Sequence, residues 1–294
     1  MAGASGTRLV KPVPFAYDAP RSVDEALALA AEHGDEAKLL AGGQSLVPLL
    51  NFRLLRPARL IDLNGVEALA GIDAGETLRL GAMTRARALE RSPEVAARWP
   101  LLVQAMRFSG HPQIRNRGTV GGSCAHADPA SELPCSLLAL DARMRLRSER
   151  GERTVDARDF FLSTFWTALE PGELLVEIQV PALSSRTGTA FLEHARVHGD
   201  FALAGAAAVV TLGEGGAVER AAVALCAVAD RPIRVPDAEA ALAGRRLDDD
   251  AAREAGALAA AAAEPTSRDA EYRRALGAEL VRRALLDAAG RAAA

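Results

Sequence analysis

The sequence predicts an α+β chain in two domains. Three observations carry that prediction. Strand-sized apolar runs alternate with helical periodicity from about residue 15 to residue 180; the stretch 181–189, with Ser184-Ser185-Arg186-Thr187-Gly188, breaks every periodicity; and beyond it three strand patterns follow one another before an alanine-rich helical tail. Strands grouped together and covered by their own helices make an α+β module, which places one domain at residues 1–182 and a second at 183–294.

Taken in order, Ser22-Val23-Asp24-Glu25 has the capping-box pattern, in which a serine hydroxyl and a glutamate three residues on satisfy orphan amides at a helix start. The apolar helical pattern behind it stops at Gly34, giving a helix of about eleven residues. Residues 37–41, with Leu40 near the end, read as a buried strand, and 59–63 as another stopped by Asn64-Gly65. Residues 78–82 form a further strand, after which Thr84 can cap a helix. The periodicity of Val95, Leu101, Leu102 and Met106 extends one helix over 93–108. Residues 132–140 read as a helix, 144–146 as an alternating strand, and 173–180 as an alternating strand closed by Pro181. In the second domain 190–195, 202–212 and 218–227 are three antiparallel strands, with helices over 238–289 on one face.

Chemistry concentrates in two glycine-bearing loops, Ala41-Gly42-Gly43-Gln44-Ser45-Leu46 and Thr119-Val120-Gly121-Gly122-Ser123. A glycine pair lets main-chain N–H groups approach an anion with no Cβ in the way, and a neighbouring Ser or Thr adds a small donor, so the two loops read as halves of one pyrophosphate clamp. Neither has the G-x-G-x-x-G or G-x-x-x-x-G-K-[ST] spacing, which excludes a Rossmann or P-loop reading. Taken singly, each glycine pair also fits an ordinary tight turn.

The polar, small-residue stretch 113–134 shifts the balance toward the clamp. Here the chain resembles the flavoprotein (medium) subunits of the molybdenum hydroxylases, the group containing aerobic carbon monoxide dehydrogenase and the separate-subunit relatives of xanthine dehydrogenase. Residues 41–46, followed by Pro48 and Asn51-Phe52-Arg53-Leu54, are similar to that family's first FAD loop, and Arg115-Asn116-Arg117-Gly118-Thr119-Val120-Gly121-Gly122 to its second. The likeness runs from about Phe15 to about Leu286.

It implies a PCMH-type FAD-binding domain of two α/β subdomains, followed by a C-terminal domain with a three-stranded antiparallel sheet and helices. FAD is the implied cofactor. Leu40, Ala41, Gly42, Gly43, Gln44, Ser45 and Leu46 would wrap the pyrophosphate and ribityl chain, with Gly118, Thr119, Gly121, Gly122 and Ser123 closing from the opposite side and Thr84 and Asp128 beside them. Glu132 aligns with an acidic cofactor-binding residue, or is a solvated first-turn carboxylate; Leu174 and Leu175 align with apolar residues packed on the flavin, or are strand core. Phe201 would stack on the isoalloxazine. The implied function is an electron-transfer subunit that takes electrons from a [2Fe-2S] small subunit, fed by a molybdenum-cofactor large subunit, and passes them to a quinone, NAD or oxygen, in a paired heterotrimer. Alternatives are a self-contained flavin oxidase or dehydrogenase of the same fold, and a cofactor-free interaction subunit. No catalytic residue or metal ligand falls to this chain.

Two departures stand out. Many relatives carry a lysine in the first C-terminal strand where this chain has Glu193-His194, and a Gly-Asp-Tyr where it has Gly199-Asp200-Phe201. His194 and His198, four apart, have no third ligand nearby in sequence and read as surface or flavin-neighbouring histidines. His126, beside Asp128, reads as a hydrogen-bonding partner of loop backbone.

Composition agrees. A chain of 294 residues, 49% hydrophobic, can bury a substantial core, and a net charge of −3 with interspersed signs marks no nucleic-acid surface. Met1–Arg8 lacks the apolar core of a secretory signal and no run of eighteen apolar residues exists, so a cytoplasmic protein with no transmembrane segment is expected. Cys124, Cys135 and Cys226 are too few for a four-thiolate site.

Overall fold

The computed structural model describes residues 11–293; the stretch in which no secretory signal was read lies outside them. The first subdomain is a parallel three-stranded sheet of β1 (Ala16–Asp18), β2 (Ala37–Leu40) and β3 (Arg59–Asp62) in the order β1-β3-β2, with α1 (Val23–His33) between the first two strands and α2 (Leu46–Asn51) after β2. α1 starts as its cap predicts: the Ser22 hydroxyl accepts from the Glu25 amide at 3.1 Å. The Glu25 carboxylate reaches back to the amide of Arg21 at 2.7 Å, one residue further than a capping box requires. Ala26, Leu27 and Ala30 pack onto Ile61 and Leu63. Because β3 takes the central place, β2 is an edge strand with only Ala37 fully buried, and the expectation of a buried strand is corrected to a half-covered one.

The second subdomain opens with β4 (Ile72–Ala74) and β5 (Leu78–Gly81). Six helices follow: α3 (Ala86–Arg91), α4 (Pro93–Arg98), α5 (Pro100–Met106), α6 (Pro112–Arg117), α7 (Val120–His126) and α8 (Glu132–Ala139). Next come β6 (Arg143–Ser148), β7 (Gly151–Asp156), α9 (Ala157–Phe160), the small ribbon β8 (Phe161–Ser163) and β9 (Trp166–Thr167), and β10 (Leu174–Val180). The sheet runs β4-β5-β10-β6-β7, antiparallel throughout. A bulge between Leu175 and Glu177 keeps Leu175 on the same core as Ile178 and Val180, while Leu174 and Val176 join the core under α1.

Three expectations change here. The single helix over 93–108 is two helices, because Pro100 has no amide and pushes Trp99 to φ −133°, ψ 55°. Trp99 uses the break, burying its ring and donating from Nε1 to the Pro181 carbonyl at 2.8 Å. Thr84 caps nothing: its hydroxyl donates to Gly71 O at 2.7 Å and accepts from Gly71 N at 3.0 Å, and α3 starts two residues later. The second glycine segment is the first turn of a helix, since Thr119 caps α7 through the Gly122 amide at 3.1 Å.

The C-terminal domain is a meander of β11 (Thr187–His194), β12 (Ala204–Leu212), β13 (Val218–Cys226) and β14 (Ile233–Arg234), covered by α10 (Pro236–Leu242), α11 (Asp249–Ala262) and α12 (Ala270–Ala292). The expected three strands are four; β14 is two residues long, too short to show alternation in sequence. All nine residues of β12 are buried, one face under α11 and α12 and the other against the first domain, which explains its run of Ala and Val. Asp141, in the turn after α8, accepts from Arg234 at 2.7 Å and also pairs with Arg220 and Arg158, tying β13 and β14 to the first domain. Among the described residues no helix is long and apolar enough to cross a membrane.

Candidate cofactor site

Loop 41–45 carries the chain from β2 into α2. Gly43 holds φ +74°, and a Cβ there would lie 3.2 Å from Val47 Cγ2 and 3.3 Å from Leu40 Cδ1. Val47 donates to Gly43 O and Leu49 to Ser45 O, while Gln44 turns its side-chain amide onto Gly42 O at 3.0 Å. Among the described residues, the amides of Gly42, Gly43, Gln44 and Ser45 themselves meet no protein acceptor, and the Ser45 hydroxyl makes no cap bond. A run of uncommitted main-chain donors with a hydroxyl at its end is what a phosphate recognises.

The second segment differs. At the start of α7 the amide of Val120 donates to Thr84 O at 2.9 Å, Gly121 to Ala82 O at 2.8 Å, Gly122 to Thr119 Oγ1 at 3.1 Å and Ser123 to Thr119 O at 3.0 Å. The symmetrical clamp, with amides from both segments, is therefore corrected to an asymmetric one. Loop 41–45 carries uncommitted amides, whereas the amides of Val120 to Ser123 are used within the protein. The two segments lie close because glycines meet: a Cβ on Gly42 would sit 2.4 Å from Arg117 O and 2.7 Å from Gly118 Cα, and one on Gly122 would sit 3.3 Å from Ala41 Cβ. Gly121 serves the fold, since a Cβ would strike Ala82 Cβ at 2.5 Å.

Two further residues, Asn64 and Arg85, brace this contact. Asn64 donates to Ala41 O at 2.9 Å and accepts from Arg85 at 2.6 Å, and Arg85 also donates to Arg117 O. The Asn64-Gly65 strand stop was their one sequence signal. A cleft of about 390 Å³ opens beside them, lined by Val66, Gly71, Met83, Thr84 and Arg85. The larger cleft, about 520 Å³, contains Arg79, Arg145 and Arg147, each paired with a carboxylate, so it offers an anion little.

The remaining candidates scatter. Leu174 and Leu175 are 1% and 6% exposed, on opposite faces of β10, and both are core. Asp128 accepts from the Ala130 amide at 2.9 Å, fixing the turn before α8. His126 stacks on Phe165, ring centroids 4.8 Å apart, in place of the expected hydrogen bond to loop backbone. Glu132, the first residue of α8, is 9% exposed, and burial pushes it up to about 7, which removes the solvated-carboxylate reading. Phe201 is 71% exposed in a loop whose Gly199 lies against the His111 ring, at the N-terminus of α6 and so one helix upstream of the second segment.

Comparison with known proteins decides the family. Residues 13–183 match the FAD binding domain in molybdopterin dehydrogenase, and residues 189–288 the CO dehydrogenase flavoprotein C-terminal domain. The chain belongs to the FAD subunits of the molybdenum hydroxylases. This flavoprotein subunit is 48% identical over 231 residues, 78% of each chain, to 6-hydroxypseudooxynicotine dehydrogenase complex subunit alpha of Paenarthrobacter nicotinovorans. It is 42% identical over 278 residues to the carbon monoxide dehydrogenase medium chain of Hydrogenophaga pseudoflava, covering 93% of this chain and 96% of that one. A solved structure of carbon monoxide dehydrogenase from H. pseudoflava, lacking the Mo-pyranopterin moiety, superposes with a TM-score of 0.93 at 44% identity, over 95% of this chain and 99% of that one. The flavoprotein subunit binds FAD and is part of an oxidoreductase.

Proposed function

We propose that this subunit is an electron relay. Substrate is oxidised at a molybdenum centre in a large partner subunit, electrons cross [2Fe-2S] clusters in a small partner, reach FAD held between loop 41–46 and α7, and leave to a quinone, NAD or oxygen. The observation that supports this most is the run of uncommitted amides at Gly42, Gly43, Gln44 and Ser45, in a loop that lies against Arg117 and Gly118. FAD, when bound, supplies the exchange between two-electron and one-electron chemistry. The chain's own residues bind and orient. Loop amides and the hydroxyls of Ser45 and Ser123 meet the pyrophosphate, Asn64 and Arg85 hold the loop in place, and loop 196–201, with Phe201, covers the flavin from the C-terminal domain. Three buried cysteines cannot ligate an iron–sulfur cluster, so the clusters belong to another chain. The relatives' designations as a medium chain and as a complex subunit support partner chains, which we place in a paired heterotrimer in the cytoplasm.

The test is direct. Purified chain should be yellow and release FAD on denaturation; colourless, folded protein that takes up no FAD would refute the relay.

A further inference from the structure

Two carboxyl groups face one buried core where the domains join. Glu193 on β11 stands opposite Gly205 on β12, and Gly205 opposite Cys226 on β13. Residues in one register row share one face of a sheet. The glycine leaves the middle of the row bare, since a Cβ there would lie 2.6 Å from Cys226 Sγ and 3.4 Å from Phe191 Cζ. α8 covers that face, with the Cys135 thiol against that of Cys226 in one core. Glu132 lies three positions before Cys135, on the same side of the helix. Ala227, just past β13, donates to Pro129 O at 2.8 Å and fixes the turn before α8 against the row. Glu193 Oε2 is fully buried and, among the described residues, has no hydrogen-bond partner.

The groups facing the pair do not neutralise it. On the turn before α8, Asp128 adds a further negative charge; Arg115 of α6 faces Glu132 but is engaged by Glu90 at 3.0 Å and by the carbonyls of Ser109 and Gly110. Ser109 gives Glu132 a hydroxyl, and the Cys135 thiol beside it, together with burial, holds the Cys226 thiol well above the ordinary thiol range, so it is uncharged. His194 follows Glu193 in the strand, so it projects to the opposite face and is exposed.

We propose that Glu193 and Glu132 hold one proton between them at neutral pH and so form a proton-storing pair at the domain junction. Burial disfavours ionising either carboxyl, and the charge of Glu132 opposes ionising Glu193. Burial, reinforced by the charge of Glu132, pushes Glu193 up to about 8. The two titrate as a unit. When negative charge arrives beside the pair, one proton enters from solvent to join the stored one; when the charge leaves, that proton returns. The link to flavin charge rests on the relay reading, whereas the stored proton does not.

Infrared spectroscopy of the purified full chain tests it. The wild type should show the carbonyl band of a protonated carboxylic acid at neutral pH, fading as the pH passes about 8. Glu193→Gln should remove the part of that band that fades near 8, leaving the Glu132 part that fades near 7, and Glu132→Gln should move Glu193 ionisation to lower pH. In flavin-loaded protein, the midpoint potential should bend with pH near 8 in the wild type and run straight in Glu193→Gln, a signature a purely structural glutamate lacks. Absence of the band at neutral pH, or its persistence unchanged in both variants, overturns the pair. A band in protein that takes up no FAD sinks the relay and leaves the pair standing; bound FAD without the band does the reverse.

Discussion

Gly43 and Gly121 belong to the same pair of motifs yet do different work, and one substitution at each separates the roles. Gly43 sits in the left-handed region within a run of free amides, so Gly43→Val strains the loop by about 1–3 kcal/mol. FAD affinity should fall about tenfold or more, and the strained apoprotein should melt lower as well. Gly121 donates to Ala82 O and touches Ala82 Cβ, so Gly121→Val overpacks the core by about 1–3 kcal/mol, and its apoprotein should melt lower. Calorimetry of both apoproteins beside their flavin-to-protein absorbance ratio checks this; full flavin occupancy in Gly43→Val would contradict the assignment of the loop. The sequence showed both glycine pairs but not where their amides point, because the acceptors at Ala82 and Thr84 lie some forty residues back across a sheet end. Glu132 and Glu193 carry a second residue-scale prediction. Folding raises both to about 7 and 8 from an ordinary value of about 4.3, so the native state binds more protons in between. That stability is fully present below the ordinary value and is lost as pH rises through 7 and 8. The melting temperature of apoprotein should therefore drop over this range, and Glu193→Gln should flatten the drop.

At the scale of elements, local signals held where they were complete within a few residues. Ser22 and Gly34 bound α1 as the cap patterns required. Periodicity misled where a single residue overrode it: Val95, Leu101, Leu102 and Met106 are all buried as one helix would bury them, but Pro100 splits the segment in two. Thr84 had the right chemistry for a cap and a better partner in Gly71, thirteen residues back, which no local pattern shows. The junction between domains is likewise tertiary. Arg234, 13% exposed at its side chain, is held by Asp141, Glu239 and the Leu138 carbonyl. Asp141→Ala removes one of these and leaves a buried cation partly paired, at a cost of about 2–3 kcal/mol, below that of a fully stripped pair. Denaturant unfolding should show the loss, and an unchanged midpoint would show that the domains do not depend on this contact.

For the whole molecule, the C-terminal domain matters through the loop it brings back. Gly199 seats loop 196–201 on His111, leaving Phe201 exposed near the second motif. On the relay we propose, this exposed aromatic would cover the flavin. Phe201→Ala should alter flavin fluorescence and reduction potential while keeping most of the FAD, and Phe201→Tyr should be mild; an unchanged spectrum and potential in Phe201→Ala would remove the loop from the cofactor. The central claim, that electrons enter this subunit from partner chains, is tested most directly by anaerobic reduction of the purified chain followed by its flavin absorbance. Dithionite should bleach it, whereas carbon monoxide, an aldehyde or a purine should leave it yellow until molybdenum and iron–sulfur partner subunits are added. Bleaching of the lone chain by any such substrate would contradict the relay.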